Sequence, residues 1–185
     1  MTASPWLVPI TTLRRSIGAR REEHRVGPVG ELRVADSVVG ADAIAEAVAT
    51  LDSVDGGIQV SAIVTAPWTG ECRRCLNAVG GDLRCEVREM YRPRRGDEGL
   101  GDSDDDTYRL QPDHLDLQPL VRDALLLELP MAPLCREDCL GLCPTCGADR
   151  NEGGCTGVTS NRDPGCDALY DTDLHPGDAP GGATT

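Results

Sequence analysis

Hydrophobic and polar residues alternate most regularly over residues 58–65. The apolar positions of this alternation are Ile58, Val60, Ala62 and Val64. A period of two residues is typical of a β-strand with one buried face. The Asp55-Gly-Gly run just before it has the composition of a hairpin turn. The pattern therefore predicts a strand that follows a tight turn.

Two neighbouring segments also have features of β-strands. One is predicted to be a strand, and the other is open between a strand and a helix. In residues 82–88, Leu83, Cys85 and Val87 alternate with charged residues, which predicts a second half-buried strand. Cys85 is therefore interpreted as a small core residue. Residues 42–51 leave two alternatives, because their alanines favour a helix whereas their position beside the turn favours a strand.

Helical spacing appears in residues 115–129, where leucine, valine and alanine recur at three- and four-residue intervals. Asp116 is placed to cap the start of this helix, and Pro119 falls early enough to be tolerated. Pro130 is expected to end it.

These patterns predict an α+β protein, with a mainly antiparallel β-sheet, one packed helix and a C-terminal cysteine-rich zinc module. We expect an N-terminal arm of little periodicity over residues 1–29 and an α+β core over residues 30–130. An acidic loop over residues 96–107 interrupts that core. The zinc module spans residues 131–159, and the Asp-, Gly- and Pro-rich residues 160–185 are expected to be disordered.

The charge of the chain argues against autonomous, tight binding to RNA. Thirty-one acidic residues face eighteen basic ones, all arginine, and the formal net charge is −13. Autonomous, tight binding to RNA phosphates usually needs the opposite balance, although Arg73 and Arg74 form a local basic pair. No apolar stretch is long enough to span a bilayer and the N-terminus does not resemble a secretory signal, so we expect a soluble, cytoplasmic protein with no membrane association.

The strongest chemical signal is a run of four cysteines within twelve residues: Cys135, Cys139, Cys143 and Cys146. Thiolate sulfur is the ligand that structural zinc selects. In the Cys143-Pro-Thr-Cys146-Gly147 part, proline restricts the backbone between two ligands and glycine permits a left-handed turn after them. Disulfide bonds would need an oxidising compartment. The run therefore predicts a bound Zn²⁺.

Two assignments of the ligands are open, because Cys72-Arg-Arg-Cys75 repeats the two-residue spacing of a ligand pair. In the first, the four local cysteines 135, 139, 143 and 146 hold one ion. In the second, Cys72 and Cys75 join Cys135 and Cys139, while Cys155 joins Cys143 and Cys146, with Cys166 as a weak candidate for the fourth ligand. The second assignment gives every closely spaced pair a partner pair.

Catalysis is not expected. The three histidines lie in the predicted arm, loop and tail, and no nucleophile with a base, phosphate-binding glycine loop or paired-carboxylate motif is visible. The protein is therefore predicted not to be an enzyme. The cysteines would also suit a zinc-thiolate redox sensor or a protein-interaction module.

The helix and the cysteine run together resemble a known bacterial family. Asp116-Leu-Gln-Pro-Leu-Val-Arg-Asp, followed by Cys135-x-x-x-Cys139, Cys143-Pro-x-Cys146-Gly147 and Asn151, is similar to the YceD family, the large ribosomal RNA subunit accumulation proteins. Ser53-Val-Asp-x-Gly-Ile and Gly70-Glu-Cys72-Arg-Arg-Cys75 match its upstream motifs in the same order. The resemblance also favours a strand for the ambiguous residues 42–51.

The resemblance implies a non-enzymatic, zinc-binding ribosome-biogenesis factor that supports synthesis, processing or stability of the large-subunit (23S) rRNA. Its implied partners are ribosomal RNA or ribosome-assembly proteins. Relatives with the full cluster often end it with Cys-x-Cys, whereas here Cys155 is followed by Thr156 and Gly157.

Overall fold

The structure is a computed structural model of the chain, and it describes residues 4–93 and 108–153. The predicted acidic loop, Cys155, Cys166 and the predicted disordered tail lie outside the described residues. The chain divides into two compact units, Met1–Glu137 and Asp138–Thr185. All of the named strands and the α-helix belong to the first unit.

Nine strands and one α-helix follow in chain order within the described residues. The strands are β1 (Leu7–Pro9), β2 (Arg20–Pro28), β3 (Leu32–Val34), β4 (Ser37–Val39), β5 (Ile44–Val54), β6 (Gly57–Glu71), β7 (Ala78–Pro93), β8 (Tyr108–Leu110) and β9 (His114–Asp116). The helix α1 is Gln118–Glu128, and short 3₁₀ turns cover Leu13–Arg15 and Arg150–Glu152.

Strand β6 is the centre of a mainly antiparallel sheet. It pairs with β5 on one side, and with β7 over almost its whole length on the other. Strands β2 and β5 pair at one edge, β4 and β3 extend the far end of β6, and β8 joins β7 in parallel. Strands β1 and β9 form a separate two-stranded ribbon.

One hydrophobic core lies on a single face of this sheet. The alternating side chains of β5 and β6 point into it, including Leu51, Ile58 and Val60, all fully buried. Helix α1 covers the same face with Leu120, Val121, Ala124 and Leu125. The alternation predicted for residues 58–65 and the burial of Cys85 are therefore confirmed. Within the described residues, no helix has the length and apolar character needed to cross a membrane.

Residues 42–51 contribute to strand β5, so the helix that their alanines favour is wrong and the strand alternative is right. Three of these alanines, at positions 45, 47 and 49, alternate into the core and are nearly or fully buried. They belong to the same core cluster as the larger apolar side chains of α1 and β6. The Asp55–Gly56 turn that follows has Gly56 at a φ of +84°, as the hairpin composition predicts.

The predicted helix begins later than the sequence suggests. Leu115 and Asp116 belong to β9, and Leu117 precedes the first helical residue. The Asp116 carboxylate does accept the backbone N–H of Gln118, at 2.9 Å, although it lies one residue outside the cap position. The helix ends before Pro130, as expected.

The first 29 residues differ from the expected arm, because they contribute β1 and the nine-residue edge strand β2. Along β2, Arg21, Glu23 and Arg25 occupy the half-buried positions, and the carboxylate of Glu23 forms ion pairs with both arginines at 2.8 and 2.7 Å. Charged side chains joined by ion pairs thus stand where an alternating strand usually carries apolar residues. This is why the hydrophobic pattern does not reveal the strand.

Candidate metal centre

The Cys72–Cys75 pair lies in the tight turn that joins β6 to β7. The backbone N–H of Cys72 donates to the carbonyl of Asn77, and the N–H of Leu76 donates back to the carbonyl of Cys72, both at 2.8 Å. Leu76 adopts a left-handed conformation with a φ of +61°. Because β6 and β7 pair up to Glu71 and Ala78, the sheet holds this turn in place, and both cysteines are buried.

The chain after α1 brings a second cysteine to the same turn. The buried hydroxyl of Ser37 donates to the carbonyl of Pro130 at 2.6 Å. The N–H of Arg73 donates to the carbonyl of Pro133 at 2.9 Å. These bonds place Cys135 so that its Sγ lies 3.6 Å from the Sγ of Cys75.

Four sulfur atoms form one compact group. The Sγ atoms of Cys72, Cys75, Cys135 and Cys139 all lie within 4.8 Å of one another. Metal–sulfur bonds of about 2.3 Å to a tetrahedral ion place the sulfurs about 3.8 Å apart, so the donor set and its spacing fit such an ion. These four cysteines could therefore hold a metal ion.

The structure thus brings together the four cysteines that the second assignment puts in one site. Among the described residues 4–93 and 108–153, these four cysteines are the group of Cys, His, Asp and Glu side chains whose ligand atoms lie close enough together to hold one metal ion. Cys143 and Cys146 are not members of it. Since Cys155 and Cys166 lie outside the described residues, the other half of that assignment stays a prediction.

The environment of Cys72 favours its metal-binding form. Burial raises the pKa of the Cys72 thiol, but hydrogen bonds from the backbone N–H groups of Cys75, Cys135 and Arg74 outweigh this effect and lower the pKa to about 6. At neutral pH the sulfur is therefore mainly a thiolate, which is the form that binds metal. These backbone donors are not recognisable in the sequence, because they depend on the fold of the turn.

The Cys143–Cys146 pair in the second unit repeats the backbone pattern of the first turn. The N–H of Cys143 donates to the carbonyl of Ala148, and the N–H of Gly147 donates back to Cys143, both at 2.8 Å. Gly147 has a φ of +72° and occupies the place that Leu76 has in the first turn. Hydrogen bonds from the backbone N–H groups of Cys146 and Thr145 lower the pKa of Cys143. The two turns are therefore equivalent in backbone structure.

This equivalence predicts the effect of replacing Leu76 by glycine, the residue at the same position of the second turn. Leu76→Gly is expected to stabilise the protein by about 1 kcal/mol, because a left-handed conformation costs an L-residue about that much and the exposed Leu76 side chain contributes little packing. Denaturant unfolding of the metal-loaded protein measures this change. Leu140→Gly is the matched control, since Leu140 is also exposed but has no positive φ. Equal effects at both positions would contradict the interpretation.

The fold and the centre define a class of protein, namely a mainly antiparallel β protein with one packed helix and a four-cysteine group able to hold a metal ion. The family model described as "Large ribosomal RNA subunit accumulation protein YceD" matches residues 60–171. The chain therefore belongs to the YceD family, which confirms the resemblance found in the sequence. The matched range includes Cys72, Cys75, the helix and the cysteine run.

Several mycobacterial proteins are similar to this chain. An uncharacterized protein of Mycobacterium tuberculosis is 34% identical over 146 residues, which cover 78% of this chain and 70% of that protein. An uncharacterized protein of Mycobacterium bovis matches to the same extent. One from Mycobacterium leprae is 35% identical over 97 residues, or 52% of this chain and 45% of that protein. No solved structure matches the chain significantly.

Proposed function

We propose that the protein is a non-enzymatic, zinc-binding ribosome-biogenesis factor that supports synthesis, processing or stability of the large-subunit (23S) rRNA. The observation that carries this proposal is the match of residues 60–171 to a family described as large ribosomal RNA subunit accumulation proteins. That family name implies a role in accumulation of the large-subunit RNA.

Zinc is the metal that the donor set favours. Four thiolates in a tetrahedral arrangement are typical of structural zinc sites, whereas catalytic sites keep one coordination position for water or substrate. Four protein sulfurs leave no such position, which supports a structural role for the metal. The ion would hold the β6–β7 turn to the segment that follows α1.

The contact with a ribosomal partner is proposed at the same turn. Arg73 and Arg74 stand between the two ligands of the turn, and both are exposed. Residues 73–95 contain seven arginines against three acidic residues, Asp82, Glu86 and Glu89, so this part of the chain is basic although the whole chain is strongly acidic. Ribosomal RNA or an acidic surface of an assembly protein fits this local charge.

Depletion of the protein is expected to lower mature large-subunit rRNA relative to small-subunit rRNA. The ratio is measured on total RNA from growing cells before and after depletion. Normal ratios, together with the absence of ribosomal material in a pull-down, would contradict the proposal. That outcome would favour the alternative, a zinc-thiolate redox sensor, for which the exposed position of the ligand Cys135 is the supporting observation.

The site of contact is tested with the same cells. Arg73→Gln with Arg74→Gln should weaken co-sedimentation with ribosomal precursors, and the loss should be largest at low salt, because rising salt screens the phosphate contacts that these arginines make in the wild type. Arg15→Gln with Arg33→Gln removes the same charge from two other exposed arginines and should have little effect. Equal losses from both pairs would argue that only net charge matters.

A further inference from the structure

A side-chain amide in the second unit contacts the sulfur of one candidate ligand. The Nδ2 of Asn151 lies 3.4 Å from the Sγ of Cys139, within the range of an N–H···S hydrogen bond. Cys139 is buried, with 2% of its surface exposed. The amide therefore meets the sulfur where little water can replace it.

The Asn151 side chain is held in this position from two other sides. Its Oδ1 accepts the backbone N–H of Leu140, the residue directly after Cys139, at 2.8 Å. The Asp149 carboxylate accepts both the backbone N–H and the side-chain N–H of Asn151, at 2.8 and 2.6 Å. One asparagine thus binds the ligand sulfur and the backbone next to it. The Asp149 carboxylate fixes the orientation of its amide.

We propose that Asn151 is a positioning residue of the metal centre, which donates a hydrogen bond to the Cys139 thiolate and thereby strengthens metal binding. This inference rests on the proposed zinc site. Four thiolates around a divalent ion leave a net charge of −2, so a donor at one sulfur stabilises the loaded centre. Outer hydrogen-bond partners of metal ligands typically change metal affinity about 10- to 100-fold.

Three variants separate the sulfur contact from the folding of the segment. Asn151→Asp keeps an oxygen for the N–H of Leu140 but replaces the sulfur donor by an acceptor. It also places two carboxylates side by side, so Asp149→Asn with Asn151→Asp restores the original net charge while still removing the donor. Asp149→Asn alone is the matched control, because the Oδ1 of an asparagine can still accept both N–H groups of Asn151 and the Asn151 amide is retained.

Two measurements on the purified full-length protein test the proposal. Competition with a chelator gives the zinc affinity, which should fall about 10- to 100-fold in both variants that carry Asn151→Asp and stay near the wild-type value in Asp149→Asn. Loading with Co²⁺ gives the sulfur-to-metal charge-transfer band. This band should move to longer wavelength when the donor is lost, because the sulfur electrons then lie at higher energy.

The charge-restoring double variant decides the outcome. Wild-type zinc affinity in this variant would overturn the proposal. Weaker affinity with an unmoved cobalt band would also overturn it, since Asn151 would then act through the fold alone. Neither measurement involves RNA, so they are independent of the proposed role in rRNA accumulation. A wild-type protein that binds no zinc would instead refute the metal centre itself.

Discussion

Replacing Cys72 and Cys75 together by serine should lower the zinc content of the purified protein as much as Cys135→Ser does. The sulfur atoms of these residues belong to one compact group with Cys139, and a tetrahedral site that loses a thiolate ligand loses most of its affinity for zinc. The expected loss is about one ion per chain. Elemental analysis after purification under reducing conditions, without chelator, measures it.

Two controls accompany this experiment. Cys85→Ser removes a thiol that is buried in the core of the sheet and is not part of the group, so the zinc content should not change. Cys143→Ser tests the second turn, and any further loss would indicate a second ion held there. If the zinc content survives the change at Cys72 and Cys75, the local set of Cys135, Cys139, Cys143 and Cys146 becomes the better account.

Trp6→Ala is expected to destabilise the protein by about 3–5 kcal/mol, the usual cost of removing a buried aromatic side chain. Trp6 is fully buried, and its indole N–H donates to the carbonyl of Pro28 at 2.9 Å. It therefore fixes the start of the chain against the end of β2. Denaturant unfolding followed by circular dichroism measures the change without depending on tryptophan fluorescence.

Trp6→Phe separates the loss of apolar volume from the loss of the hydrogen bond to Pro28. Phenylalanine keeps most of the apolar volume but leaves the Pro28 carbonyl without its donor, which should cost about 1–3 kcal/mol. Trp68→Ala provides a comparison, because Trp68 is only partly buried and its loss should be less damaging. A Trp6→Ala variant as stable as Trp68→Ala would show that the N-terminal segment does not contribute to the core.

The sequence predicts the central strands well, since their alternation reports a sheet with one buried face. It fails where the buried positions carry charged residues or alanine in place of large apolar residues. In β2 the inner positions carry charged residues that form ion pairs, such as Arg25 and Glu23. In β5 the inner positions carry alanine, whose local preference is helical. Both strands are determined by their neighbours in the sheet, which no local pattern reports.

The candidate site, too, is predicted by the sequence only in part. Spacing alone predicts Cys72–Cys75 and Cys143–Cys146 as ligand pairs, because the two cysteines of each pair lie within one turn. It cannot determine which pair meets Cys135, since that depends on how β6, β7 and α1 fold. The hydrogen bond from Asn151 to Cys139 is likewise a product of the fold, although Asn151 stands within the sequence motif itself.

Cys75 and Cys135 are far apart in the sequence, so a metal ion between them would connect distant parts of the chain. These two neighbouring sulfurs belong to residues 60 positions apart, so an ion that binds both would act as a cross-link. A covalent bridge over such a loop reduces the entropy of the unfolded chain by an amount worth about 4 kcal/mol. Unlike a covalent bridge, this one would form and open with the supply of metal. The lifetime of the folded protein in the cell would then follow the concentration of available zinc.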